Sequence, residues 1–147
     1  MSGQTITIRK VLSASRDEVF DAWLDADGMR EWMRPGPVAD CEVTLEPRVG
    51  GHFVIVMRSF DPDVEIMNRG EFRILDRPSK LQFTWSSSRW DNQETLVTVD
   101  LRDLGDNCEL TLTHERFPIE HSSEQLKIGW NQMFENLDGH LGVNRNS

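Results

Sequence analysis

The spacing of apolar residues changes along the chain, and the last change marks the longest helical segment. Between Ser122 and Leu141 the apolar side chains recur every three or four residues, which at about 100° per residue places them on one side of a helix. Ser122 and Gln125 have the form of a capping box, and Pro118 keeps the helix from starting much earlier. The apolar stripe of this predicted helix consists of Leu126, Trp130, Met133, Phe134, Leu137 and Leu141.

Ahead of that helix, from Val38 onward, apolar and polar residues alternate with a period of two. Turn-forming groups such as Pro47–Gly51, Asp61–Asp63, Arg77–Ser79 and Gly105–Asn107 divide this part into short segments. Alternation of this kind predicts β-strands with one buried face. The predicted strands are Cys41–Leu45, His52–Arg58, Val64–Leu75, Leu81–Trp85, Thr95–Leu101 and Cys108–His114.

The N-terminal part combines one strand with two short helices. Thr5–Leu12 alternates and is rich in β-branched residues, so it predicts a strand. Ser15–Glu18 is a second capping-box pattern and predicts the start of a helix, which Asp25–Gly28 is expected to interrupt. A second helical piece, Met29–Met33, is expected to end before Pro35–Pro37.

This order of elements, β-α-α-β6-α, predicts an α+β fold. Sequential hairpins form an antiparallel sheet, and one amphipathic helix covers only one of its faces. A seven-stranded sheet that curls around the C-terminal helix would bury the apolar stripe and leave a cavity where helix and sheet do not touch. The 147 residues are expected to form a single domain, residues 1–147.

Charge and composition narrow the classes of function. The net charge of −9 repels phosphate backbones and anionic lipid, so nucleic acid and membrane surfaces are poor partners. No apolar run approaches the roughly 20 residues that cross a bilayer, and the N-terminus lacks a signal-peptide pattern. Cys41 and Cys108 show no metal-type spacing, so the sequence predicts a cytoplasmic protein with reduced thiols. The five Trp, seven Phe and six Met are residues that can line an adaptable apolar cavity.

Seven short motifs occur in order along the chain: Ser13–Ser15 before the Val19–Phe20 helix, Arg30–Trp32, Gly50–Phe53, Gly70–Phe72, Leu81–Trp85, Leu110–His114 and Gly129–Trp130. Together they resemble the domain related to the C-terminal part of the Hsp90 ATPase activator, within the START-like (Bet v 1-like, helix-grip) superfamily. The resemblance spans about Thr5 to Leu141 and implies a helix-grip fold. Proteins of this fold include binders, transporters, cyclases and hydrolases, so the resemblance implies no single function.

Strand parity and the helical stripe together predict which side chains face the interior. Most of them are expected to form the core itself. The aromatic residues nearest the stripe, with one at the end of the second short helix, are expected to line a cavity, mainly because the resemblance implies one. This predicted ligand-binding lining consists of Trp32, Phe53, Phe83, Trp85, Trp130 and Phe134, with His114 as its polar member.

His114 continues the inward parity of Leu110 and Leu112, so its imidazole is expected to be buried. A buried imidazole must satisfy both ring nitrogens or suffer a depressed pKa. Two interpretations stay open: a core histidine bonded to backbone or water, or a polar group that orients a ligand in an apolar pocket. Asn68, which shares a parity with Phe72, is a second such group.

Sequence motifs of catalysis and metal binding are lacking. The chain holds no GxSxG, HExxH or P-loop pattern, and its four histidines are not spaced as zinc ligands. We therefore predict no cofactor and no metal, and the sequence assigns no catalytic residue.

Three hypotheses about function follow. The first is a binding module for a small, neutral, largely apolar ligand, held between the sheet and the C-terminal helix. The second is a chaperone-type protein–protein adaptor with a solid interior, partnered by another protein or a second copy of the chain. The third is a small enzyme that acts on a hydrophobic substrate through His114. An interior cavity of about 300 Å³ or more favours the first hypothesis, and a filled interior favours the second.

Overall fold

In the computed structural model, seven antiparallel strands form one sheet that curls around a long C-terminal helix. The structure describes residues 4–34, 38–59, 65–88, 93–117 and 123–146. The elements are β1 (Gln4–Leu12), α1 (Arg16–Ala22), α2 (Ala26–Trp32), β2 (Val38–Leu45), β3 (His52–Ser59), β4 (Glu65–Asp76), β5 (Lys80–Ser87), β6 (Glu94–Asp103), β7 (Cys108–Phe117) and α3 (Ser123–Asn146). The predicted α+β helix-grip fold is confirmed.

The strand order across the sheet is β1-β7-β6-β5-β4-β3-β2. From β2 to β7 each strand pairs with the next, whereas β1 pairs with β7, where Ile8 lies opposite Leu112. One face of each strand is buried beneath the helices. Its parity is the one that the alternation predicts except along β4, where the register shifts after Phe72 and Leu75, not Ile74, packs against the core. The buried strand residues include Phe53, Ile55, Met57, Leu81, Phe83, Trp85, Val97, Val99, Leu101, Leu110, Leu112 and His114.

The capping box predicted for α1 is present. Ser15 Oγ accepts from the Glu18 backbone N–H at 3.3 Å, and Glu18 Oε1 accepts from the Ser15 backbone N–H at 3.1 Å. Further along the helix, Arg77 donates two hydrogen bonds of 2.9 Å to the Asp21 carboxylate, which joins α1 to the β4–β5 turn. These bonds hold the pKa of Asp21 below its ordinary value.

Helix α2 begins at Ala26, earlier than the predicted start at Met29, so the expected interruption through Gly28 is wrong. Glycine serves here for close packing and does not end the helix. A Cβ at Gly28 would lie 2.7 Å from Asp25 Oδ2 and 3.2 Å from Nε2 of His140 on α3. The glycine thus lets α2 lie close against α3.

The apolar stripe of α3 faces the sheet as its periodicity predicts. Five of its members, Trp130, Met133, Phe134, Leu137 and Leu141, are buried, and Leu126 is half-buried near the start of the helix. Ile128 lies on the opposite side with 55% of its surface exposed. The proposed capping residue Ser122 and Pro118 lie outside the described residues. None of the described helices is long and apolar enough to span a membrane.

Candidate functional site

The space between the sheet and α3 is filled by aromatic rings in mutual contact. Trp85 on β5 meets Trp130 on α3 with ring centroids 5.5 Å apart, and Trp130 stacks on Phe134 at 5.8 Å. On the sheet, Phe53 and Phe83 pack edge to face at 5.5 Å. All seven residues of the predicted lining are buried, and they lie together in one core cluster or in contact with it.

Two interior cavities border these rings. The first, of about 10 Å³, is called here the small cavity and lies beneath α1 and α2. Among its lining residues are Trp23, Met29, Met33, Phe53, Phe83 and Trp85. The second, of about 50 Å³, is called the polar cavity and lies beneath the first turns of α3. Among its lining residues are Asn68, Trp85, Ser87, His114, Leu126 and Trp130.

Only some of the residues of the predicted lining border a cavity. Phe53, Phe83 and Trp85 border the small cavity, while Trp85, His114 and Trp130 border the polar cavity. The structure places Phe134 in the core, outside both lining sets, and Trp32 beside a surface cleft between α1, α2 and α3. Trp23, which the predicted lining omits, contacts the rings of Trp32, Phe83, Trp130 and Phe134.

His114 is completely buried and takes part in a chain of hydrogen bonds between side chains. Trp130 Nε1–H donates to His114 Nδ1 at 3.2 Å. An indole N–H can only donate, so the imidazole proton sits on Nε2, which lies 2.7 Å from Thr95 Oγ1 and donates to it. The Thr95 hydroxyl in turn donates to the Trp85 carbonyl at 2.6 Å. The chain therefore links β5, β6, β7 and α3.

The described hydrogen bonds of His114 are to side chains, so a ligand would have to displace one of them to reach the ring. Burial lowers the pKa of His114 to about 3, because a charged imidazole would be desolvated and would lose its acceptor at Nδ1. A base this weak is poorly suited to proton transfer near neutral pH, which argues against the third hypothesis.

We expect His114 to make stability depend on pH. Below pH 6.5, the ordinary pKa of histidine, His114 binds a proton in the unfolded chain. In the folded protein it binds that proton only near pH 3, so the free energy of unfolding falls as the pH decreases from 6.5 to 3. The expected loss is about 1.6 kcal/mol between pH 6.5 and pH 5, because the slope rises from half of roughly 1.4 kcal/mol per pH unit at pH 6.5 towards its full value. Urea unfolding at several pH values measures it.

The change of stability with pH, and not its absolute value, is the informative quantity in this measurement. His114→Phe should flatten the slope between pH 6.5 and pH 5, even though it also removes two hydrogen bonds. Ile128→Ala, a change at an exposed residue of α3 that carries no charge, should keep the slope of the unmodified protein. An equal slope in all three proteins would contradict the prediction.

Asn68 is the polar group best placed to meet a molecule in the polar cavity. It is 3% exposed, and its Nδ2 donates to the Ile55 carbonyl on β3 at 3.3 Å. Within the described ranges no residue donates to its Oδ1, which leaves an acceptor at the wall of the cavity. Ser87, opposite Asn68 in the β4–β5 register, adds a second buried polar side chain.

The surroundings of both cavities are uncharged. No Lys, Arg, Asp or Glu is among the described residues that line them. Burial raises the pKa of the Cys41 and Cys108 thiols to about 11, so both are unreactive at neutral pH. In the part of the chain that the structure describes, no group of His, Cys, Asp and Glu could hold a metal ion.

Comparison with known proteins places this geometry in a family. The model of the family described as "Activator of Hsp90 ATPase homolog 1-like protein" matches residues 13–142. A solved structure from Chromobacterium violaceum is similar with a TM-score of 0.83 at 25% identity, covering 92% of this chain and 96% of that one. An HSP90 activator from Plasmodium falciparum is similar with a TM-score of 0.72 at 25% identity, covering 95% and 97%. No curated protein sequence matches this chain significantly.

Proposed function

This chain belongs to the family of Activator of Hsp90 ATPase homolog 1-like proteins, and from its interior we propose that it binds a small, neutral, largely apolar ligand between the sheet and α3. The polar cavity carries this proposal. It combines apolar walls with an acceptor, Oδ1 of the mostly buried Asn68, and such a mixture is typical of sites that orient a small molecule.

The cavity has to widen to accept a ligand. Its 50 Å³ is far below the roughly 300 Å³ of ordinary ligand sites, so volume alone favours the adaptor, and the proposal rests on the mixed polar and apolar lining. Met57 on β3 and Met133 on α3 line it, and unbranched thioether side chains can repack around different shapes. Leu126, at the start of α3, is half-buried and borders the same space. We therefore place the ligand's access route beside Leu126.

The chemistry of the walls defines the class of ligand. An anion would need a cation or several aligned donors, and no charged side chain is among the described lining residues. Both ring nitrogens of His114 are engaged, so we assign the polar contact to Asn68 in place of His114. Its Oδ1 accepts, so the complementary ligand carries a hydroxyl or amide N–H at one end of an apolar body.

Blocking the access route tests this proposal. Leu126→Trp is expected to weaken binding of the neutral fluorescent dye Nile red by about tenfold or more, because the larger side chain fills the widened space. The matched control is Ile128→Trp, which adds the same ring to the exposed side of the same helix and should change the affinity less than about twofold. Dye fluorescence titration gives both constants, and equal weakening in both variants would contradict the proposal.

A second candidate is an adaptor that activates a chaperone. Two observations favour it: the small size of the interior cavities, and a groove of about 480 Å³ on the outer face of β3, β4 and β5, lined by charged residues including Arg69, Glu71 and Arg73. The similar structure from Plasmodium falciparum is that of an HSP90 activator. Stimulation of a purified Hsp90-type ATPase by this protein and by Leu126→Trp alike, without dye binding to either, would favour the adaptor.

A further inference from the structure

Two indole N–H groups in the interior lack hydrogen-bond partners. Trp23 Nε1 and Trp32 Nε1 are shielded from solvent, and within the described residues neither donates to an acceptor. A buried donor without an acceptor forfeits its hydrogen bonds to water, and such groups are rare in folded proteins. Trp130 shows the usual arrangement, since its indole donates to His114. The two unpaired groups therefore call for a physical explanation.

Contact between the two rings accounts for one N–H at most. The rings of Trp23 and Trp32 pack edge to face, with centroids 5.0 Å apart and planes at 79°. In such a pair only one ring turns its edge to the face of the other, and an N–H that points at a ring makes only a weak bond. At least one indole is left with an unmet donor.

The small cavity adjoins Trp23 and is suited to something other than water. Its volume of about 10 Å³ is at the lower limit for one water molecule, which would also need two to four polar partners. Apart from the indoles of Trp23 and Trp85, the described lining consists of Met, Leu, Ile and Phe side chains. Met29 on α2 and Met33, which caps the C-terminal end of that helix, have flexible side chains that can move to enlarge the space.

We propose that the small cavity is a subsite for a hydrogen-bond acceptor of the ligand, and that Trp23 Nε1 is the donor. The fitting group is a neutral ketone, ester or ether oxygen on an apolar body. An anionic group is excluded because no positively charged side chain is among the described lining residues. Trp85 borders both cavities, so one ligand that spans this ring reaches Asn68 with one end and Trp23 with the other. This inference rests on the proposed function, since it concerns the same ligand.

The test uses two probes of the same planar shape, 2-acetylnaphthalene and 2-isopropenylnaphthalene, in which a carbonyl oxygen replaces a CH₂ group. Equilibrium dialysis gives both dissociation constants for the unmodified protein, Trp23→Phe and Trp32→Phe. Relative to the isopropenyl probe, the acetyl probe should lose about tenfold in affinity in Trp23→Phe, because its oxygen no longer meets a donor. The control Trp32→Phe makes the same change in the neighbouring ring, which lies outside the lining of the small cavity, and should shift this ratio less than about twofold.

A measurement on the unmodified protein makes the test independent of how well the variants fold. In ¹H–¹⁵N spectra the Trp23 indole resonance is assigned through correlations to the backbone of its own residue. The acetyl probe should move its proton downfield, as a new hydrogen bond does, and the isopropenyl probe should not.

Each outcome bears on a different statement. If both probes bind with the same ratio in all three proteins and the Trp23 resonance does not move downfield, the subsite is wrong and the ligand-binding function stands. If Trp32→Phe alone changes the ratio, the assignment of Trp23 as donor is wrong. If neither probe nor Nile red binds the unmodified protein, the proposed function fails together with the subsite.

Discussion

Trp130→Ala is expected to lower the free energy of unfolding by about 4–5 kcal/mol, near the upper end for removal of a buried aromatic ring. The ring is 1% exposed and contacts Trp23, Trp85 and Phe134. Its removal leaves a large cavity in the centre of the core. It also takes the donor away from His114 Nδ1, which leaves a buried acceptor unsatisfied.

Chemical denaturation measures this loss, and the same helix supplies the control. Ile128→Ala truncates an exposed side chain of α3 and should change stability by less than about 0.5 kcal/mol. A loss below about 1 kcal/mol in Trp130→Ala would mean that the ring borders open space, and the helix-grip packing described above would be wrong at its centre.

Gly70→Ala is expected to destabilise the protein by about 3 kcal/mol or more, although it adds a single methyl group. A Cβ at Gly70 on β4 would overlap the Thr84 carbonyl oxygen of β5 and would lie 2.6 Å from the Phe53 ring. The first contact is with backbone, which cannot move without breaking the β4–β5 pairing. The Phe53 ring covers the glycine, as aromatic rings often do in sheets.

Gly139→Ala is expected to have the opposite effect on the free energy of unfolding. Gly139 lies in α3, and a Cβ there meets nothing within 4 Å. Alanine is the better helix former, so this change should stabilise the protein by about 0.5–1 kcal/mol. Thermal or urea unfolding of both variants compares them directly. Similar effects of the two substitutions would show that space at Gly70 is not limiting.

Alternation and helical periodicity were sufficient to predict the elements and, except along β4, their buried faces. The parity of Leu81, Phe83 and Trp85 places all three inside, and the structure agrees, because a strand with one buried face admits only one register of apolar side chains. Boundaries were less predictable. Gly28 is an example: as a local signal it indicates a break, and only its closeness to His140 on α3 explains why the helix includes it.

The arrangement of the candidate site could not be predicted from periodicity. The sequence predicted that His114 is buried, but its partners Thr95 and Trp130 come from β6 and α3, and only the three-dimensional register brings them together. Trp23 is buried at the C-terminal end of α1, and periodicity says nothing about whether its N–H finds an acceptor. A cavity is the space that the packed side chains leave unfilled. Its volume therefore cannot be predicted by counting aromatic residues.

The pairing of the first strand with the last one has a consequence for synthesis of the protein on the ribosome. Strands β2 to β7 lie in chain order, so each emerging strand finds its neighbour already made. β1 is the exception. It stays unpaired until β7 has been translated, because Ile8 pairs with Leu112 near the end of the sheet. Unpaired strand edges attract other chains, and contacts this distant in sequence form slowly. Arg9 and Lys10 place positive charge on β1, and charge along an unpaired strand disfavours its pairing with a second chain.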